Sequence, residues 1–321
     1  MKKNKTIVVT GGLGFIGSNY LNKYVLQHKD YLFINVDCVT YAANPKNILV
    51  SKAKNYIFEK IDIRNIKKLE AIFKKYKPTH IIHFAAESHV DISIEKPSIF
   101  VETNIIGTHN LLLLAKRYNI QRFLQISTDE VYGSLSKNAP AFTTLSSLAP
   151  NSPYSASKAS ADLLVMAYHS TFGLDTVITR CSNNYGPNQD TTKLIPKFII
   201  LLLQNKKVPL YSKGENIRDW IYVEDHIDAI DIAFRKGKNG SIYNIGGNCE
   251  LSNFEMVKKL LKLTNNNEKL IEFVADRKGH DFRYAIDTNA TENELGWKSK
   301  MKLETGLAKT LEYYRRNAKS K

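Results

Sequence analysis

The chain has 321 residues, 43% hydrophobic and 24% charged, enough for one large domain or two modest ones with a sizeable buried core. No uninterrupted apolar run reaches membrane-spanning length, since even LLLLA (111–115) is cut off by Lys116 and Arg117, so no membrane partner is expected. The formal charge is +15, but the lysines are spread along the chain and form no long basic arm, which argues against nucleic acid; an anionic, phosphorylated ligand or a lysine-rich composition explains the charge equally well.

The opening MKKNKTIVVTGG has an apolar run too short for a signal-peptide core, and it passes straight into a glycine turn. TIVVT (6–10) is therefore read as the first strand. YLFINV (31–36), YIFE (56–59), HIIHF (80–84), RFLQI (122–126) and TVITR (176–180) read as further buried strands. Helix-length segments lie between them, including those near 91–118 and 153–171. This alternation predicts a parallel sheet with helices on both faces. After residue 180 the rhythm loosens. SNNYGPNQ (182–189) reads as a loop, WIYVEDHIDAIDIAF (220–234) as a short strand and a helix, and SIYNIGG (241–247) as another strand. Three cysteines, Cys38, Cys181 and Cys249, are too few and too scattered for a disulfide framework or a zinc site, and fit a reducing cytoplasm. His83, His89 and His109 show no tight ligand spacing, so structural roles are expected and no metal.

TGGLGFIGS (10–18) sits between the first strand and the first helix, with Gly11, Gly14 and Gly17 in G-x-x-G-x-x-G spacing. In that setting glycines allow a tight turn and close approach of the backbone to a pyrophosphate, while the helix N-terminus presents free N–H groups. Asp37 ends the second strand, where a carboxylate can accept from an adenosine ribose and repel a 2′-phosphate. The pattern points to NAD rather than NADP, on a Rossmann-type doubly wound parallel sheet.

PYSASKASAD (153–162) places Tyr154 and Lys158 four apart, on one face of a helix. A nearby ammonium, with a cofactor's charge, can lower a phenol's pKa and make it a base. ISTDEVYG (126–133) sets Thr128, Asp129 and Glu130 at the end of an expected strand. Two adjacent acids there are either a solvated turn or an acid and a base at the carboxyl end of a sheet, where open α/β folds bind ligands.

Together these stretches resemble the extended short-chain dehydrogenases/reductases and, more narrowly, the nucleotide-sugar 4,6-dehydratases. The likeness runs almost end to end, through DCVTYAANPKN, HFAAESHVDISI, ETNIIGTHNLL, CSNNYGPNQ, KLIPKFI, NIRDWIYVEDH, YNIGGN and DRKGHDFRYAID. The glycine turn and the Tyr/Lys pair mark only the superfamily; STDEVYG narrows it, since epimerases of the superfamily generally lack the adjacent acids. The resemblance implies a redox-neutral dehydration with NAD as internal cofactor and dTDP-glucose as substrate. UDP-glucose is the alternative, and an epimerase or a non-catalytic NAD-binding scaffold are the more distant ones. It implies that Tyr154, held by Lys158 and helped by Thr128, takes the proton of the 4-hydroxyl, that Glu130 takes the C5 proton, and that Asp129 protonates the departing 6-hydroxyl. Such chemistry needs one acid protonated, so Asp129 is expected to have a raised pKa.

By the same resemblance, cofactor contacts fall on Gly11, Gly14, Phe15, Ile16, Gly17, Asp37, Cys38, Val39, Thr40, Asp62, Ile63, Phe84, Ala85, Ala86, Glu87, Ser88, Thr103, Tyr154 and Lys158. Substrate contacts fall on Ser88, Thr128, Asn183, Lys193, Leu194, Arg218, Asn253, Asp276, Arg277 and His280. Arg218 and Arg277 suit a diphosphate, because a guanidinium meets phosphate oxygens with paired hydrogen bonds. Lys278 stands where the family pattern has proline and Thr144 where it has glutamate; both bear on the choice of thymine or uracil. The expected organisation is an NAD domain of residues 1–181 with 219–247, and a smaller C-terminal substrate-binding lobe of 182–218 with 248–321. A cytoplasmic homodimer, paired through a four-helix bundle, is implied by the resemblance.

Overall fold

The computed structural model describes residues 4–276 and 279–318. The strands are β1 (Lys5–Thr10), β2 (Tyr31–Asp37), β3 (Tyr56–Lys60), β4 (His80–His83), β5 (Arg122–Thr128), β6 (Thr176–Cys181), β7 (Asn183–Tyr185), β8 (Val208–Tyr211), β9 (Ile217–Tyr222), β10 (Ser241–Ile245), β11 (Glu250–Ser252) and β12 (Ile271–Val274). The helices are α1 (Phe15–Gln27), α2 (Ile66–Tyr76), α3 (Val90–Glu95), α4 (Pro97–Phe100), α5 (Gly107–Arg117), α6 (Pro153–Phe172), α7 (Leu194–Leu203), α8 (Val223–Lys236), α9 (Asn253–Leu263), α10 (Asn289–Leu295) and α11 (Leu303–Ala318).

Seven strands form a parallel sheet in the order β10-β6-β5-β4-β1-β2-β3. Their central residues are apolar on both faces, as a sheet covered twice requires. Tyr20, Leu21, Ile227, Ile230 and Phe234 of α1 and α8 pack one face. Leu69, Phe73, Leu111, Leu114 and Val165 of α2, α5 and α6 pack the other. The order reverses between β1 and β4, which opens a crevice at the carboxyl ends of the strands; such a switch point is where doubly wound sheets take their ligands.

The segment expected to be one helix near 91–118 is broken. Between α4 and α5, Val101–Ile106 forms a π-turn, a feature that tends to mark functional sites. It turns Thr103 toward the crevice and seats Asn104 between layers, where its side chain accepts from the N–H of Glu87 (2.8 Å) and donates to Ser157 Oγ (2.8 Å).

A second, smaller core gathers Tyr185, Phe198, Trp220, Met256, Leu260 and Leu307 from α7, α9, α11 and the sheet β11-β9-β7. The expected boundary at 219 cuts through β9. Ile217–Tyr222 pairs with β7 and β11, not with the seven-stranded sheet, because Ser252 and Tyr185 lie opposite its two ends. The chain returns to the large sheet only with α8 and β10.

Candidate active site

The crevice is a cavity of about 330 Å³, inside the range typical of ligand sites. Its floor is the glycine turn. Gly11 has φ +70°, and a Cβ there would lie 2.6 Å from the backbone of Ala85. A Cβ on Gly17 would lie 2.5 Å from the Gly11 carbonyl, whereas one on Gly14 would meet nothing nearer than that carbonyl at 3.3 Å and otherwise faces the cavity. The N-terminus of α1 has no side-chain cap and no acid in its first turn. The cradle therefore offers a polyanion bare backbone N–H groups and a positive helix end. At the next strand end, Asp37 accepts from the N–H of Leu13 (3.0 Å) and of Val39 (2.8 Å). Burial raises its pKa, and these two bonds hold it down. The residues present fit a bound dinucleotide.

The expected cofactor residues line this cavity, with the exception of Val39. Val39, in the left-handed region at φ 61°, instead packs against the core beneath it. Asp62 is held by Arg64, whose guanidinium reaches both its oxygens and Glu102. Arg64 also lines the cavity, as do His89, Cys181, Gln189 and Asp190, none of which the sequence reading had placed there. Gln189 and Asp190 lie at and just beyond the end of SNNYGPNQ (182–189), which had been read as a loop with Asn183 as its one substrate contact; its Asn183–Tyr185 is instead the strand β7. The mouth is crossed by contacts between three loops: Tyr41 donates to Glu87 (2.8 Å), His89 meets Thr192 (2.6 Å), and Lys193 donates to the Ser88 carbonyl (2.9 Å).

β5 ends at Thr128, and a 3₁₀ turn, Asp129–Tyr132, carries the two acids to the cavity wall. Asp129 is 2% exposed, and its Oδ2 has no hydrogen-bond partner among the described residues. Burial pushes its carboxyl well above the carboxylate range; Glu130 and then Asp219 push the same way, against Arg218. The solvated-turn reading fails: one acid is buried in a nearly dry wall. The other, Glu130, is half-buried and close enough to Tyr154 and Tyr284 to raise both phenols.

Tyr154 and Lys158 project from one face of α6 into the same cavity. Lys158 Nζ donates to the Ile126 carbonyl (2.6 Å). The lowering expected of the Tyr154 pKa needs the cofactor's charge as well as the ammonium. Burial raises it well above its ordinary value, and Glu130, Cys181 and Asp129 add to that, with only Thr128 working against them.

Ser88, Thr128, Asn183 and Lys193 of the expected substrate set line the cavity; Leu194, Arg218, Asn253, Asp276 and His280 do not. Leu194 is the first residue of α7, beside Lys193, and Asn253 is the first of α9, buried in the smaller lobe. Arg218, expected on a diphosphate, donates instead to the carbonyls of Ile217 (2.6 Å) and Asp281 (2.9 Å), with its guanidinium 4.3 Å above the Tyr284 ring. In this state it braces the wall behind Asp129. His280 and Asp276 are hydrogen-bonded to each other (2.6 Å), the imidazole buried and the carboxyl group exposed. Arg277 and Lys278 lie outside the described residues. Tyr284, in the quoted run DRKGHDFRYAID, was missed. Its ring lies against the Arg218 guanidinium and its hydroxyl donates to Asp281 (2.5 Å), contacts that no spacing in the sequence reveals.

Residues 8–310 match the model of the GDP-mannose 4,6 dehydratase family. The chain is 46% identical to the dTDP-glucose 4,6-dehydratase of Haemophilus influenzae, over 98% of this chain and 99% of that one. The chain belongs to the dTDP-glucose 4,6-dehydratase family. Two solved dTDP-glucose 4,6-dehydratases agree with it in three dimensions. That of Bacillus anthracis, in complex with NAD, is 45% identical with a TM-score of 0.91, and DesIV of Streptomyces venezuelae, also with NAD bound, is 43% identical with a TM-score of 0.94. Each covers 98% of this chain and is itself 98% covered.

Proposed function

We propose that the protein is an NAD-dependent hydro-lyase that converts dTDP-glucose to dTDP-4-keto-6-deoxyglucose, a step toward deoxysugars. The observation that carries this is the pair Asp129–Glu130: adjacent in sequence, held in unlike environments, and placed with Thr128 and Tyr154 on one wall of the cavity that the glycine cradle floors. NAD, held by the glycine cradle, Asp37 and Lys158, would supply a reversible hydride acceptor for C4 and C6 of the sugar.

The chain's own residues move the protons. Tyr154 accepts the proton of the 4-hydroxyl, with Thr128 bonded to the phenol and oriented toward the same oxygen. A carbonyl at C4 then makes the C5 proton acidic. Glu130 removes that proton, while Asp129, kept protonated by its burial, gives a proton to the departing 6-hydroxyl, and water leaves. Glu130 returns its proton to C5 as C6 is reduced. The count closes when the proton on Tyr154 passes to Asp129. Thr128, whose hydroxyl donates to Asp129 Oδ1 (3.3 Å) and also bonds Tyr154, lies on that route. Asn183 and Gln189 line the cavity, and their side-chain carbonyl oxygens, buried and without hydrogen-bond partners among the described residues, suit the hydroxyl groups of a sugar.

The diphosphate contacts fall to Lys193, with Arg218 contributing; Arg277, expected to join them, lies outside the described residues. The chain also works as a homodimer. In support, Val101, Ile106, Leu163 and Met166 present apolar side chains to solvent on the neighbouring helical segments 97–117 and 153–172, where a second copy would cover them.

The test is product formation from dTDP-glucose and UDP-glucose side by side with parent and Glu130→Gln protein. The parent is expected to turn over the thymidine sugar. E130Q is expected to lose elimination by about 10²-fold or more while the sugar still reduces the bound cofactor. Loss of cofactor reduction with elimination intact would overturn the assignment of roles.

A further inference from the structure

The motif PYSASKASAD ends in a residue that the chemistry above does not use. Asp162 follows Tyr154 and Lys158 on the same face of α6, four residues beyond the lysine. It is fully buried. Its Oδ2 accepts from Ser127 Oγ on β5 (3.0 Å) and from Arg180 Nε on β6 (2.9 Å). Arg180, itself 2% exposed, also donates to the Tyr132 hydroxyl (2.9 Å) and lies over that ring. Tyr132 donates to Asn244 Oδ1 on β10 (2.8 Å) and ends the turn that holds Asp129 and Glu130. One buried chain of contacts therefore joins the base-bearing helix to the acid-bearing turn.

A buried ion pair is weak evidence of stability, because desolvation offsets its attraction. Retaining one directly behind a site calls for another reason, and the surroundings of Lys158 supply it. The ammonium is buried and, among the described residues, has one hydrogen-bond partner, the neutral Ile126 carbonyl. The groups that act on it are His83 from β4, Cys181 from β6, and Asp162 from its own helix; Tyr154 lies one turn away. His83 is bonded between Thr10 and Thr108, and burial lowers its pKa to about 3, so it is neutral. Burial likewise pushes the Cys181 thiol up to about 12, leaving it protonated. Asp162 is the one carboxyl group among them; burial raises its pKa, while the Arg180 guanidinium and the Ser127 hydroxyl bonded to it favour its charged form.

We propose that Asp162 is a positioning residue that, braced by Arg180, holds Lys158 as an ammonium beneath Tyr154. This rests on the dehydratase reading. The test is built on E130Q protein, where the first oxidation is seen alone as reduction of the bound cofactor by dTDP-glucose. Lys158 is charged below its pKa, so oxidation should fail as pH rises through it. In D162N/E130Q that alkaline limb is expected to move down by about one pH unit or more, a tenfold loss at a fixed pH on the limb, with KM little changed. Asp162→Glu is expected to restore it in part.

If D162N leaves Arg180 uncompensated and the chain unfolded, the paired D162N/R180Q removes both charges and takes its place. A rate lowered equally at every pH, or an unmoved limb in protein with a normal unfolding temperature, would overturn the proposal. Absence of cofactor reduction in E130Q alone would instead count against the dehydratase reading.

Discussion

Asp129 and Glu130 are neighbours in the chain, yet the protein treats them differently, and the difference has a cost in stability that pH can expose. The folded state binds the Asp129 proton more tightly than the unfolded chain, because burial and the nearby carboxyl groups of Glu130 and Asp219 disfavour its charge. As pH rises above the unfolded value of about 4, the unfolded state sheds the proton first, and folding loses stability until the folded group titrates too. Asp129→Asn keeps the shape and stays neutral. It is expected to unfold at a higher temperature than the parent at neutral and alkaline pH, with the advantage vanishing toward pH 4; each unit by which the pKa is raised corresponds to about 1.4 kcal/mol. Its turnover is expected to fall by about 10²-fold or more as the acid is lost. Unfolding curves across pH check the first point, and equal stabilities of D129N and parent at every pH would refute it.

The glycine turn and the strand-end acids could be read from the sequence because each depends on local order: a strand, a turn, a helix, with a residue type that the turn geometry demands. The smaller lobe resisted such reading. β9 pairs with β7 and β11 from either side of it in the chain, and Arg218, which looks like a phosphate ligand by residue type, is held by carbonyls 63 and 64 residues away. The π-turn that lifts Thr103 to the cavity leaves no mark either, since VETNII has ordinary helical periodicity. In the turn itself the three glycines are not equivalent. Gly17→Ala drives a Cβ to 2.5 Å from the Gly11 carbonyl, a backbone atom that cannot move aside, so it is expected to destabilise the protein by several kcal/mol. Gly14→Ala meets nothing so close and is expected to leave the unfolding temperature of the cofactor-free protein within a few degrees of the parent's while weakening NAD retention, because its methyl group stands where the pyrophosphate must approach. Thermal unfolding with and without NAD separates the two. Equal losses of stability in both variants would show that the cradle is built for folding alone.

The helical layer formed by 97–117 and α6 does two jobs on its two sides. Its inner side carries Tyr154, Lys158 and Thr103 to the cavity; its outer side presents Val101, Ile106, Leu163 and Met166 to water, the first three of them at about half of full exposure (48%, 48% and 55%). Scattered apolar residues on a surface need no explanation; these four, on adjacent helical segments, are the face that the proposed homodimer would cover. Burying them against the same face of a second copy satisfies the self-complementarity of a two-fold contact, in which each helix meets its own equivalent. An arginine at Leu163 would then meet its symmetry mate in a desolvated interface with no carboxylate supplied for either. Leu163→Arg is expected to shift the protein from dimer to monomer at micromolar concentration, measured by sedimentation, and to lower the unfolding temperature in a concentration-dependent way. Because Tyr154 and Lys158 lie on the opposite side of the same helix, the monomer is also expected to hold NAD less tightly, with the catalytic groups themselves unchanged. A parent protein that sediments as a monomer would remove the dimer. A dimer undisturbed by L163R would move its interface to another face.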